Sequence, residues 1–140
     1  MQLRSPSPEA TRVAGRLLGE SIGPDGAVIA LVGALGAGKT VLAKGLAEGL
    51  GIEPGALASP TFTLVHEYPC NRCPVFHFDF YRLDSADEVL ALDFDGYLEG
   101  RGIIVVEWAS KFPELFPAGT RWFRFEIGEG DERRIVEVES

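Results

Sequence analysis

Cysteine is scarce in this chain: Cys70 and Cys73 are the only two among 140 residues. Two thiols this close build no disulfide framework, and a reducing compartment keeps them as thiols. Positive charge is also in short supply, with 13 Lys and Arg against 21 Asp and Glu and a formal net charge of −8. Such a surface repels phosphate backbones and anionic lipids, which excludes a stand-alone nucleic-acid binder that gains affinity by neutralising phosphates. No apolar run approaches the ~18 residues of a membrane span, and the opening Met1-Gln2-Leu3-Arg4-Ser5-Pro6 has no apolar core of a signal peptide. The expected setting is therefore the cytoplasm, with no membrane contact. Nor does any Asn-Lys-x-Asp signature for guanine occur. What remains is 46% hydrophobic and 24% charged, the composition of a folded globular chain whose length suits one domain over 1–140.

Periodicity places the elements. Ser7-Pro8 reads as an N-cap with Pro at the first helical position, and Ala10, Val13, Ala14, Leu17 and Leu18 recur at helical spacing through 9–20. The unbroken apolar run 27–32 suits a strand covered on both faces, and a helix from Lys39 to about Leu50 follows, capped by Gly51. Alternation over 61–68 and 75–82 predicts a β-hairpin, with Phe76, Phe78 and Phe80 on one face and His77, Asp79 and Tyr81 on the other. One or two short helices over 85–98 begin at a capping box of Ser85 and Glu88. A second buried strand, 103–106, leads to Glu107-Trp108, and a final hairpin pairs 121–127 with 133–139. The expected fold class is α/β, three layers deep, with a sheet that mixes parallel and antiparallel strands.

Between the first strand and its helix lies Gly33-Ala34-Leu35-Gly36-Ala37-Gly38-Lys39-Thr40. Glycines at these places let successive backbone N–H groups converge on phosphate oxygens; Lys39 reaches the β- and γ-phosphates and Thr40 offers a hydroxyl to Mg²⁺. A nucleoside triphosphate site also needs an acidic group for the metal or a water. Glu107, the first polar residue after an apolar strand, and Asp79, on the face away from the phenylalanines, both qualify, and the residues alone do not divide the roles.

The loop with Gly45 and Leu50-Gly51, Ser59-Pro60-Thr61-Phe62-Thr63-Leu64, His77-Phe78-Asp79-Phe80-Tyr81-Arg82-Leu83 and Glu107-Trp108 together resemble the TsaE family, also called YjeE. These small P-loop ATPases are required for the threonylcarbamoyl modification of adenosine 37 in bacterial tRNAs. The resemblance implies a three-layer P-loop NTPase-like α/β fold with a mixed parallel and antiparallel sheet, and ATP and Mg²⁺ as ligands. It implies nucleotide contacts by Gly33, Leu35, Gly36, Ala37, Gly38, Lys39, Thr40, Val41 and Trp108, and Mg²⁺ ligation by Thr40 and Glu107. The catalytic set would be Asp79 for hydrolysis, Lys39 on the phosphates and Thr61 as the γ-phosphate sensor. Trp108 has packing as its alternative role, and Arg82 reads first as an ion-pair partner and second as a group that steadies transition-state charge. His77 reads as capping the polar row. The implied partners are TsaD and TsaB, with tRNA contacted indirectly, and ATPase activity is expected to be weak until they join. A small-molecule P-loop kinase and a nucleotide-binding module without turnover are the alternatives.

Three places depart from the family pattern. Ala34 stands where an Asp is usual, Asp93 stands where a Gly is common, which predicts a different backbone shape at that helix junction, and Cys70-Asn71-Arg72-Cys73 is extra. With His66 and His77 the two thiols would make a zinc set only if one face collected all four; alternation argues instead for a hairpin turn with two free thiols.

Overall fold

The computed structural model describes residues 2–23, 25–34, 36–52, 65–68 and 74–138. Leu35, Thr61 with its 59–64 segment, and the Cys70–Cys73 turn lie outside the described residues. In chain order the elements are β1 (Gln2–Ser5), α1 (Pro8–Ser21), β2 (Ala27–Val32), α2 (Lys39–Gly49), β3 (Val65–Tyr68), β4 (Val75–Asp79), α3 (Ala86–Ala91), α4 (Phe94–Glu99), β5 (Ile103–Glu107), β6 (Arg121–Ile127) and β7 (Arg133–Val138). Two 3₁₀ turns, Ala109–Lys111 and Pro113–Leu115, follow β5.

The strands form one sheet in the order β1-β7-β6-β2-β5-β4-β3. Its centre, β6-β2-β5-β4, is parallel, and antiparallel strands flank it on both sides. The mixed sheet expected from the sequence is thus present; its antiparallel parts are the β3–β4 and β6–β7 pairs and the pairing of β1 with β7. Helices cover both faces of the central strands. Ile29, Leu31, Val105, Phe123 and Phe125 pack with Leu18 of α1 and Leu42 and Leu46 of α2. On the opposite face Ala30, Ile104 and Val106 join Phe76, Phe78 and Phe80, against Val89 of α3 and Phe94 of α4. The three phenylalanines share a face as alternation required, although β4 ends at Asp79 and Phe80 begins a turn.

Local signals explain where the helices start. The Ser7 hydroxyl accepts from Ala10 N–H with Pro8 in the first turn, and the Ser85 hydroxyl accepts from Glu88 N–H. The Glu88 carboxylate accepts from Asp84 N–H, one residue before the reciprocal partner that a capping box predicts. α1 lies against α2 through glycines on both helices. A Cβ on Gly15 would sit 2.3 Å from Leu42 O, and one on Gly45 would sit 2.0 Å from Arg12 O, so the backbones are nearly in contact. Arg12 and Arg16 close the same seam by pairing with Glu48. Asp93 takes the left-handed conformation, φ 62 and ψ 37, at the α3–α4 junction. The chain therefore has there the shape a glycine adopts most readily, held by an aspartate, a residue that tolerates it better than most. β1 was not anticipated: it has a single apolar residue, Leu3, and is held by its ladder to β7 and by Ser5, whose hydroxyl bonds Thr11.

Candidate functional site

Three adjacent parallel strands end together: in register, Leu31 of β2 and Asp79 of β4 both lie beside Glu107 of β5. Ligands of α/β sheets collect at such carboxyl ends. The glycine-rich loop leaves β2 here. Gly33, at φ 150, runs so close to β6 that a Cβ would lie 2.9 Å from Phe125 O. Gly38 caps α2 at φ 100 and, being a glycine, offers the first amides of the helix no side-chain cap, so among the described residues these donors face an anion's place. Ala37 N–H donates to Ala34 O at 3.1 Å, so the loop turns without the aspartate that Ala34 replaces.

Lys39 is only 4% exposed. Its Nζ donates to Gly33 O and stands 3.7 Å from the centre of the Trp108 ring. Burial lowers its pKa, while the nearby Glu107 and Asp79 carboxylates act in the opposite direction. An ammonium on an indole face, cut off from water, gains about 2 kcal/mol of cation–π attraction. Trp108 itself is in the left-handed region, at φ 60, which costs a bulky residue about 1–3 kcal/mol. Its ring also meets Tyr81, with centroids 4.9 Å apart. The packing role expected as its alternative is present: the ring packs on Tyr81 and on the loop lysine at once.

Behind the lysine, Thr40 Oγ1 donates to Glu107 Oε1 at 2.8 Å, and His77 Nε2 lies 2.8 Å from Glu107 Oε2. Burial opposes ionisation of Glu107, but the hydrogen bond and charge of His77, with Thr40 and Lys39, hold its carboxyl below the usual range. Asp79 is the reverse case: burial, reinforced by Glu107, raises its carboxyl, against an opposing hydrogen bond from Tyr81 N–H to Oδ1 at 2.9 Å. The two carboxyls left undivided by the sequence thus differ in surroundings. Glu107, its carboxyl shifted down, is tied to the loop threonine, whereas Asp79, its carboxyl shifted up, faces the cleft. A hydroxyl oxygen and a carboxylate oxygen side by side suit Mg²⁺, which takes few protein ligands and completes its shell with phosphates and water. Among the described residues no three or more His, Cys, Asp and Glu gather into an all-protein metal cage.

The cleft has a volume of about 320 Å³ and is lined by 36–41, Asp79, Tyr81, Arg82, Glu107 and Trp108. The structure therefore brings together Gly36, Ala37, Gly38, Lys39, Thr40, Val41, Asp79, Glu107 and Trp108 of the expected set, with Gly33 at the root of the loop. The two histidines of the zinc alternative do share a face, paired directly across β3 and β4, but each ring is engaged elsewhere: His66 Nδ1 bonds Tyr68 Oη at 2.9 Å, and His77 Nε2 meets Glu107 Oε2. Sequence reasoning underrated His77, which is buried at 1% exposure and not part of a solvated row. It also missed Arg133, which reaches from β7 to donate to Gly36 O at 3.2 Å. Alternation gave a clue to the first, since His77 shares the face of Asp79. Nothing local to Arg133 announces a contact made across almost the whole chain.

The family model described as threonylcarbamoyl adenosine biosynthesis protein TsaE matches residues 5–136. A protein of Nostoc sp. (strain PCC 7120) is 48% identical over 110 residues, which are 75% of this chain and 65% of the Nostoc protein. The chain thus spans just under two thirds of that relative. One of Bacillus subtilis (strain 168) is 39% identical over 136 residues, 97% of this chain and 84% of its own. Both are named tRNA threonylcarbamoyladenosine biosynthesis protein TsaE. The crystal structure of Bacillus subtilis YdiB superposes with a TM-score of 0.78 at 34% identity, covering 98% of this chain and 83% of that one.

Proposed function

Because the chain belongs to the TsaE family of threonylcarbamoyl adenosine biosynthesis proteins, we propose that it hydrolyses ATP as a nucleotide-dependent switch in the modification of adenosine 37 of tRNA. One observation carries this reading: Lys39, Thr40, Glu107 and Asp79 converge at the carboxyl ends of three neighbouring strands, with Thr40 and Glu107 tied together and Asp79 facing the cleft beside them.

The residues divide the work as follows. The loop amides and the first turn of α2 receive the phosphates, and Lys39 leaves the Gly33 carbonyl to reach the β- and γ-phosphates. Thr40 and Glu107 would hold Mg²⁺, which when bound screens the phosphate charge. Asp79 orients the attacking water and accepts its proton, a task for which burial, by raising its carboxyl, prepares it. ATP and water become ADP and phosphate. Thr61, outside the described residues, is the γ-phosphate sensor in this reading.

The partners are TsaD and TsaB in the cytoplasm. A chain of net charge −8 meets basic protein surfaces more readily than it meets tRNA, which it contacts indirectly if at all. Turnover by the chain alone is slow, since switches of this kind gain part of their catalytic power from a partner. The test is genetic and chemical. In cells that lack the gene, the wild type restores threonylcarbamoyladenosine at position 37, read by mass spectrometry of digested tRNA, and Asp79→Ala does not. Restoration by Asp79→Ala would remove hydrolysis from the account.

A further inference from the structure

The centre of a sheet is a costly place for an imidazole. His77 lies between Val75 and Asp79 on β4, is 1% exposed, and has Val105 and His66 as its neighbours across the ladders. Valine would suit the position if packing were the only demand. The polar capacity of His77 is used once: Nε2 meets Glu107 Oε2 at 2.8 Å, and Nδ1, also buried, has no partner among the described residues. An ionised carboxylate only accepts, so Nε2 carries the hydrogen.

We propose that His77 is the positioning residue of Glu107: by holding Oε2, it turns Oε1 toward Thr40 and fixes the oxygen that meets a divalent cation. The inference rests on the reading above, in which Thr40 and Glu107 are the metal ligands. Two hydrogen bonds now orient the carboxylate, one on each oxygen. A cation held by the threonine oxygen and Oε1 would compete with the bond between them. His77 then remains as the described anchor of the carboxylate plane. Partners of this kind, one step behind a metal ligand, are worth about 10–100-fold in metal affinity.

The test compares His77→Gln with His77→Met, two side chains of nearly equal length and shape, of which only the glutamine can donate to Oε2. Mn²⁺ is titrated into each protein saturated with ADP, free Mn²⁺ is read by electron paramagnetic resonance, and ADP affinity is measured separately in EDTA by calorimetry. The expected result is Mn²⁺ affinity about tenfold or more below wild type in His77→Met, recovery to within about threefold in His77→Gln, and unchanged metal-free ADP affinity in both. Equal Mn²⁺ affinity in the two variants would overturn the proposal, as would a parallel loss of metal-free ADP affinity, the mark of a general defect. Glu107→Ala separates the two failures. If it binds Mn²⁺ as tightly as wild type, the metal-site reading falls and takes the inference with it; if only the histidine variants agree, the inference falls alone.

Discussion

At the scale of single residues, the site is a set of charges kept apart by their surroundings. Lys39 rests on Trp108 and on its own loop carbonyl, His77 and Thr40 shift the Glu107 carboxyl down, and burial shifts that of Asp79 up. Asp79→Asn keeps the shape and removes the proton acceptor. ATP affinity by calorimetry should stay within about threefold, while ADP release falls by about 100-fold or more, the usual contribution of a general base. A loss of affinity as large as the loss of rate would place Asp79 in binding instead. Lys39, Thr40, Glu107 and Asp79 were legible in the sequence because their signals are local: a glycine loop between strand and helix, and acids at strand ends. The service of His77 to Glu107 was not, because it depends on β4 lying beside β5 in a particular register.

At the scale of elements, the phosphate loop is only as steady as α2, and α2 is fixed by α1. Gly19 approaches Leu46 O and Gly49 approaches Arg16 O as closely as the Gly15 and Gly45 contacts, so four glycines on two helices share one seam. An added methyl must force the helices apart. Gly45→Ala is expected to destabilise the protein by about 1–3 kcal/mol, read as a lower midpoint of urea unfolding, although alanine is the better helix former. An unchanged midpoint would mean that the seam opens without cost. At the other end of the sheet, Arg121 donates twice to Glu137 across β6 and β7, at 2.7 and 2.9 Å. That bond, more than burial, sets the Glu137 pKa below the usual carboxylate value. A depressed carboxyl stabilises above its unfolded pKa and loses that contribution as pH falls through its folded one. Glu137→Gln should therefore cost about 0.5 kcal/mol near neutrality, as a partly exposed pair does. The gap from wild type should close between about pH 5 and pH 3, followed by urea unfolding; a gap that widens on acidification would reverse the assignment. The long elements were readable from their periodicity and caps, whereas β1 has too few apolar residues to announce itself and exists through its ladder to β7.

At the scale of the whole molecule, the strand order brings the loop, Asp79 and Glu107 to one end of a sheet covered on both faces, leaving a cleft of about 320 Å³. A mixed sheet followed from a loop that favours parallel neighbours and hairpins that are antiparallel; the order itself did not, since non-local pairings decide it. No helix among the described residues is long and apolar enough to cross a membrane. Binding to this end alone should stabilise the fold. At about 100 times its Kd, ADP with Mg²⁺ adds about 2.7 kcal/mol, visible as a rise in Tm that Lys39→Ala abolishes; an equal rise in that variant would locate nucleotide elsewhere. Hydrolysis at this site is read from steady-state ADP release with ATP and Mg²⁺, for the chain alone and after adding purified TsaB and TsaD. The expected result is slow release alone, stimulation by TsaB and TsaD, and loss of that stimulation in both Asp79→Ala and Glu107→Ala. ATP binding without release under either condition, or stimulated release that survives both substitutions, would contradict it.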